Sequence, residues 1–452
     1  MCVIDARNTM KDLISKIFFI LFDVLMISCS IYIAYSLRAS IENLDIYPVP
    51  ANTIPLHTYL SFYPLYIIPI FIFAYEGIYT YRYDFWHESR LIIKGVVFSS
   101  ILIFAYLAMT KSIADYSRLV IGFSFFFMTV LIPLSKNISK KILHTLGIWH
   151  KSAIIYGNDP FLSEEIYGNA YLGYVRPKGG SEPSTVFINS RNSDVDTLKK
   201  VIAVQIKKRH EVVFIPLIDD YDLTLSHTYE LSNTRTNLIV FQNRLKSSYR
   251  LILKKVSDFL LSLFLFPFLL PVMIFIAYKI KKNNPEQSIL FKQKRLGKEG
   301  KPFTCYKFQT MYEESDTLLQ EYLKQHPEEK EYYEVYHKYK HDPRVTEIGH
   351  FLRRTSLDEL PQIFNVFRGE MSFIGPRPYM LNEQEQIREN IETILTVKPG
   401  ITGLWQVSGR SDVDFEARVT LDVWYIRNWN LWMDFVVLIK TIKTVLLKEG
   451  AS

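Results

Sequence analysis

Apolar residues gather first into four long stretches, at roughly 14–36, 56–79, 91–110 and 116–135. Each is near the ~20 residues that a helix needs to cross a bilayer core, so the pattern predicts four membrane spans. From about 152 the apolar runs become short: Ala153-Ile154-Ile155-Tyr156, Val186-Phe187-Ile188, Val212-Val213-Phe214-Ile215 and Leu238-Ile239-Val240-Phe241. Strand-like runs alternating with helix-like stretches predict a small α/β domain. A fifth long apolar stretch, 256–278, contains Pro267 and Pro271, which interrupt helical hydrogen bonding. Beyond about 285 the chain is polar and basic. Near its end, 431–447 places apolar residues at helical spacing around Lys440 and Lys443, which suits either a core helix or one lying on a membrane.

Charge refines this outline. Arg7, Lys11 and Lys16 precede the first stretch, Arg82, Arg90 and Lys94 lie between the second and third, and Lys136, Lys140, Lys141 and Lys151 follow the fourth. The loops around 38–55 and 111–117 carry fewer basic residues, so the positive-inside bias puts both ends of the bundle in the cytoplasm. The first stretch is too long for a signal-peptide core and lacks a small-residue cleavage site; it is expected to stay as an anchor. Asp23 and Arg118, in or beside the spans, are expected to make interhelical polar contacts or to snorkel. Lysines flank both ends of 256–278, at Lys254 and Lys255 and at Lys279, Lys281 and Lys282. A re-entrant helix would keep both clusters on the cytoplasmic side, and a full crossing would not.

At 452 residues the chain has room for two or three domains, and these boundaries suggest three: 1–150 transmembrane, 151–248 α/β, and 249–452 with the re-entrant helix and the remaining chemistry. Hydrophobic residues make up 48%, concentrated in the first third as in membrane proteins. The net charge of +7 suits nucleic acid, acidic headgroups or a phosphorylated substrate, and does not choose among them. Cys2, Cys29 and Cys305 have neither metal-ligand nor disulfide spacing. The first short strand runs into Gly157-Asn158-Asp159-Pro160, where a dinucleotide fold would carry three spaced glycines. One glycine predicts a turn, and no dinucleotide cofactor is expected.

The densest chemistry is Arg353-Arg354-Thr355-Ser356-Leu357-Asp358-Glu359-Leu360-Pro361-Gln362. Ser356 and Glu359 have capping-box spacing, while Pro361 favours a helix that starts past the carboxylates and leaves them in the approach segment. Ile374-Gly375-Pro376-Arg377-Pro378 fixes the backbone around one guanidinium, which suits a phosphate grip or a rigid solvated loop. A basic run, Gln293-Lys294-Arg295-Leu296-Gly297-Lys298, is followed by Lys307. Gly403-Leu404-Trp405-Gln406-Val407-Ser408-Gly409-Arg410 is rich in glycine and hydrogen-bonding groups.

From about 250 onward, Tyr306-Lys307-Phe308, Asp342-Pro343-Arg344, Thr355 to Gln362, Gly375 to Pro378, Lys398-Pro399-Gly400 and Trp405 to Arg410 stand in an order that resembles the bacterial sugar transferases, the polyprenyl-phosphate hexose-1-phosphate transferases. The four spans and nucleotide-fold-like domain ahead of them resemble the long members of that family. The resemblance implies a transmembrane helical bundle, a degenerate α/β domain and an α/β monotopic phosphoglycosyl transferase domain with a re-entrant membrane helix. It also implies transfer of a hexose 1-phosphate from a UDP-sugar to undecaprenyl phosphate at the cytoplasmic face of the bacterial inner membrane, starting an O-antigen, capsule or exopolysaccharide. Galactose is the leading sugar; glucose and N-acetylhexosamine are alternatives. Asp358 would be the covalent nucleophile and Glu359 the Mg2+ ligand. Arg353 and Arg377 would grip phosphate, with Pro376, Pro378, Lys307, Arg295, Gln406 and Arg410 as further substrate contacts. The family usually has Arg or Lys where this chain has Gln309, which removes one basic contact. Membrane lipid, a second copy in a homodimer and downstream glycosyltransferases are the expected partners, and nucleic acid is not. A tethered dehydratase or epimerase would need a full glycine fingerprint and a Tyr-x-x-x-Lys pair, absent between 150 and 250. A catalytically silent assembly scaffold would not need the intact carboxylate and arginine set.

Overall fold

The structure is a computed structural model that describes residues 2–43, 54–157, 160–177, 183–190, 195–208, 211–215, 227–231, 236–240, 248–312, 316–326, 329, 342–408 and 414–447. Contacts divide it into two compact units, Met1–Leu217 and Ile218–Ser452.

The first unit opens with helices α1 (Cys2–Asn43), α2 (Leu56–Leu60), α3 (Pro64–Tyr75), α4 (Phe85–Met109) and α5 (Arg118–Thr145). The second apolar stretch is therefore two helices, separated by Ser61-Phe62-Tyr63, and it ends at Tyr75 rather than 79. Gly77, with φ +75, turns the chain where a side chain would be strained and would strike the Tyr81 ring. Asp84 then starts α4 by accepting hydrogen bonds from the Trp86 and His87 amides. Ile27, Ile31, Phe73, Ile92, Ile103, Met128 and Ile132 fill the bundle core, while Leu21, Phe71, Phe98, Ile101 and Phe126 face outward. So large an exposed apolar surface suits lipid. Five helical segments of the described chain are long and apolar enough to cross a membrane: these four stretches and Leu251–Asn283.

Lys136 and Lys140 were expected beyond the end of the fourth span, among its flanking charges. Helix α5 instead carries both inward. Lys136 pairs with Asp23 at 2.7 Å, and Asp23 also accepts from the Tyr79 hydroxyl at 2.7 Å. Lys140 pairs with Glu88, which also accepts from the Tyr171 hydroxyl at 3.0 Å. One helical turn separates the two lysines, so both meet partners from facing helices in a core that water does not reach. Arg118 stays exposed at the first residue of α5.

After the bundle come β1 (Lys151–Tyr156), α6 (Pro160–Gly168), β2 (Tyr174–Val175), β3 (Thr185–Asn189), α7 (Val195–Lys208) and β4 (Glu211–Ile215). The sheet has order β2-β1-β3-β4 and every pairing is parallel. Arg82 joins sheet and bundle: its guanidinium lies 3.7 Å from the Trp149 ring and donates to the Leu172 carbonyl at 2.8 Å. The run at 238–241 was expected beside these strands. It forms β6 (Thr236–Val240), paired antiparallel with β5 (His227–Leu231), and Phe241 lies outside the described residues. Gly157 ends β1 at φ +107; Asn158 and Asp159 also lie outside the described residues.

In the second unit, α8 (Ser248–Asn283) keeps helical structure through Pro267 and Pro271. One of its faces packs along its length on the unit. Lys254 pairs with Asp434 at 2.9 Å, Asp258 accepts from the Ser372 hydroxyl at 2.6 Å, and Met273, Ile276 and Ile280 are buried in the core. Its other face exposes Phe259, Phe264, Phe268, Ile274, Phe275 and Tyr278. The antiparallel hairpin of β7 (Leu290–Leu296) and β8 (Pro302–Phe308) follows, then α9 (Asp316–Gln325), α10 (Glu347–Thr355), a 3-10 turn (Leu357–Gln362) and α11 (Ile363–Phe367). Short strands β9 (Ser372–Ile374) and β10 (Gly400–Thr402) pair in parallel, with α12 (Ile391–Ile394) between them. Helices α13 (Leu404–Val407), α14 (Phe415–Asn428) and α15 (Leu431–Leu447) complete the unit. Helix α15 was expected either in the core or on a membrane; it buries Val437 in the core and exposes Leu431, Phe435, Ile439 and Ile442.

Candidate active site

Helix α10 ends at Ser356, whose φ of 55 is left-handed, a conformation that costs a non-glycine residue about 1–2 kcal/mol. The turn sends the chain straight into Leu357–Gln362. Ser356 makes no side-chain cap there, so the capping box read from spacing does not form. The α-helical part begins only at Ile363, past the carboxylates, as Pro361 suggested, although a 3-10 turn takes the place of a loop.

This turn packs on β8, which brings Lys307 to both acids. Its Nζ lies 2.6 Å from Glu359 Oε1 and 4.0 Å from Asp358 Oδ2. The Asp358 side chain is only 13% exposed. Burial pushes its carboxyl up to about 6; Lys307 pulls it down, Glu359 pushes it up, and Arg353 pulls it down again. Burial also acts to lower Lys307, but Glu359 and Asp358 together leave its ammonium raised. A carboxylate with this pKa is ionised at neutral pH yet poorly hydrated, as a nucleophile should be.

Two cavities meet at this point. One, of about 750 Å³, is lined by Asp358, Arg353, Arg344 and Thr310; Arg353 donates to the Thr310 hydroxyl at 3.0 Å. The other, of about 250 Å³, is lined by Glu359, Gln362, Arg377, Pro378, Trp405, Gln406 and Arg418. Lys307 and Arg295 line both. Neighbouring residues in sequence, Asp358 and Glu359 thus face different cavities, and so do Arg353 and Arg377.

The Arg377 loop is held from behind. Gly375 lies so close to β10 that an added Cβ would come within 2.8 Å of the Gly400 amide, and Gly400 donates to the Pro376 carbonyl. The buried carboxylate of Asp422 accepts from the Arg377 amide at 3.0 Å and the Tyr379 hydroxyl at 2.8 Å; burial pushes it up to about 7. Glu383 holds the guanidinium at 3.1 Å. Arg295 donates to the Pro378 carbonyl at 3.0 Å. Gln406 accepts from the Gly403 amide at 2.7 Å, so part of its side chain serves its own turn. Gln309 bonds the Met311 carbonyl at 2.9 Å and lines the larger cavity without a charge. Arg410 lies outside the described residues.

Sequence reading missed Gln362, Arg418 and Asp422 as parts of this site. Gln362 stood at the end of the densest motif, while Arg418 and Asp422 lie on α14, where no local spacing marked them. Among the described residues no group of three or more His, Cys, Asp or Glu is arranged to hold a metal. One or two carboxylates completed by substrate phosphates is a usual Mg2+ arrangement, and Glu359 beside Asp358 fits it.

A profile of the bacterial sugar transferase family matches residues 249–448. The chain is 34% identical over 403 residues to undecaprenyl-phosphate galactose phosphotransferase of Salmonella typhimurium strain LT2, covering 82% of this chain and 84% of that one. It is 32% identical over 406 residues to UDP-galactose-lipid carrier transferase of Erwinia amylovora, covering 82% and 84%. It is 32% identical over 297 residues to UDP-glucose:undecaprenyl-phosphate glucose-1-phosphate transferase of Klebsiella pneumoniae, covering 64% and 60%.

Proposed function

The chain belongs to the bacterial sugar transferases and is a membrane-bound transferase, and from that premise we propose that it moves a hexose 1-phosphate from a UDP-hexose to undecaprenyl phosphate. The observation that carries the mechanism is Asp358: a buried carboxylate, raised toward neutrality, 4.0 Å from an ammonium and facing a 750 Å³ cavity.

An oxygen of Asp358 attacks the phosphorus that bears the sugar. The bond from that phosphorus to the UMP oxygen breaks, leaving an aspartyl-phosphosugar. A phosphate oxygen of the lipid then attacks the same phosphorus and releases the Asp358 carboxylate, giving the lipid-linked diphosphosugar. Splitting one anion-on-anion displacement in two keeps each step within reach of fixed cations. Lys307 stands where both cavities can present phosphate to it, Arg353 guards the side of Asp358, and Arg377 the side of Glu359. Glu359, with Asp358 beside it, would hold Mg2+, which when bound neutralises diphosphate charge.

Galactose is the leading sugar, because the names of the two relatives aligned over 84% of their length carry galactose; glucose follows from the third. The four N-terminal stretches are read as spans and α8 as re-entrant, with the catalytic residues at the cytoplasmic face. The lysines at both ends of the apolar stretch support this, since a full crossing would leave one cluster on the outer face. Incubating the purified protein with undecaprenyl phosphate and a panel of UDP-sugars tests the reading. It predicts UMP release and a labelled lipid with one preferred hexose; no UMP from any donor would refute it.

A further inference from the structure

We propose that the 250 Å³ cavity seats the hexosyl ring of the donor, with Trp405 as its aromatic wall and the Gln362 amide as partner to a ring hydroxyl; this rests on the transferase reading above.

Gln362 is 1% exposed, yet its side-chain oxygen has no hydrogen-bond partner among the described residues. A shielded acceptor of this kind costs stability until a donor reaches it, and it lines the cavity. Arg295, which also lines the cavity, has its Nε buried in the same condition. Trp405 adds an indole wall, and the Arg418 guanidinium lies 5.3 Å from its ring. Polar groups against an aromatic surface match a ring that presents hydroxyls at its edge and C–H bonds on its face.

Size and position favour the sugar over the nucleobase. Sites that take a whole ligand of donor size run to roughly 300–1,000 Å³, a range that includes the larger cavity and not the smaller. Gln362 lies four residues beyond Asp358 in a 3-10 turn that rises ~2 Å per residue, hence within about 8 Å along the axis. The group joined directly to the attacked phosphate is the sugar; uracil lies beyond a second phosphate and a ribose. A phosphate held by Lys307 and Arg295, which line both cavities, would have its sugar in the smaller and its nucleotide in the larger.

The test uses the full chain and measures UMP release from the preferred UDP-hexose and its monodeoxy analogues, alongside product inhibition by UMP. The wild type should reject at least one deoxy analogue by tenfold or more. Gln362→Leu should lose kcat/KM on the parent donor by roughly tenfold to a hundredfold and bring that ratio close to one. Trp405→Ala should raise the donor KM, and Trp405→Phe should restore most of it. The inhibition constant of UMP should stay within about twofold throughout, which also shows that the variants are folded. Unchanged deoxy ratios with weakened UMP inhibition would overturn the proposal in favour of a nucleobase seat. Failure of the wild type to release UMP from any donor would instead refute the transferase reading beneath it.

Discussion

Lys307 bonds Glu359 rather than Asp358: its Nζ is 2.6 Å from one carboxylate and 4.0 Å from the other. The acid expected to assist is therefore the better neutralised, and the acid expected to attack keeps more of its charge. Asp358 is also the more deeply buried of the two, so the nucleophilicity proposed for it would come from poor hydration rather than from a strong ion pair.

Asp358→Asn should fold and lose turnover by several orders of magnitude, as removal of a nucleophile does. It should also be more stable than the wild type in alkali. The folded carboxyl is raised from 3.8 to about 6, so its stabilising contribution is present at low pH and lost as pH rises through 6. That rise corresponds to at most on the order of 3 kcal/mol. Thermal unfolding in detergent at pH 5 and pH 8 should show the gap opening at the higher pH.

The rate should fall on acidification with an apparent pKa near 6, because only ionised Asp358 attacks. Lys307 holds that value down, so Lys307→Met should move the acid limb to higher pH as well as lowering the maximum. A profile that drops in height without moving would separate Lys307 from the ionisation of Asp358.

Chelation of divalent metal should abolish turnover, and Mg2+ should restore it. Glu359→Gln should require a higher Mg2+ concentration for half-maximal rate and bind Mg2+ more weakly in the presence of UDP-sugar, measured by calorimetry. Full activity in excess chelator would remove the metal from the proposal.

Within the bundle, Glu88→Ala should destabilise the protein by about 3–5 kcal/mol, because it strands the buried ammonium of Lys140. Glu88→Leu combined with Lys140→Met should recover most of the loss. Thermal unfolding in detergent compares the single and double variants; an equal loss in both would mean that packing, not charge, decides this contact.

With native cysteines replaced, single cysteines at Lys255 and Lys282 should both resist a membrane-impermeant thiol reagent in intact cells and react after lysis. Labelling of one end alone would show that α8 crosses.

Much of this was legible along the chain. The four apolar stretches appear as helices, and strands arise near 153, 186 and 212, because apolar periodicity is a local property that burial then enforces. Span edges were less legible. Lys136 and Lys140 were counted as flanking charges because spacing shows that a lysine is present, and not whether an acid on another helix meets it.

The sequence by itself determined the membrane character, the α/β pattern and the dense Arg353 to Gln362 motif, since each depends on residues adjacent in the chain or one helical turn apart. Only the tertiary structure decided that Asp358 and Glu359 face different cavities, that Lys307 favours the second, and that Gln362, Trp405 and Arg418 close the smaller one. The physical reason is that these relations join β8, the 3-10 turn, α13 and α14 across as many as 111 positions, from Lys307 to Arg418. Shared burial, which raises one carboxyl and leaves the Gln362 side-chain oxygen without a partner among the described residues, exists only once those elements have packed.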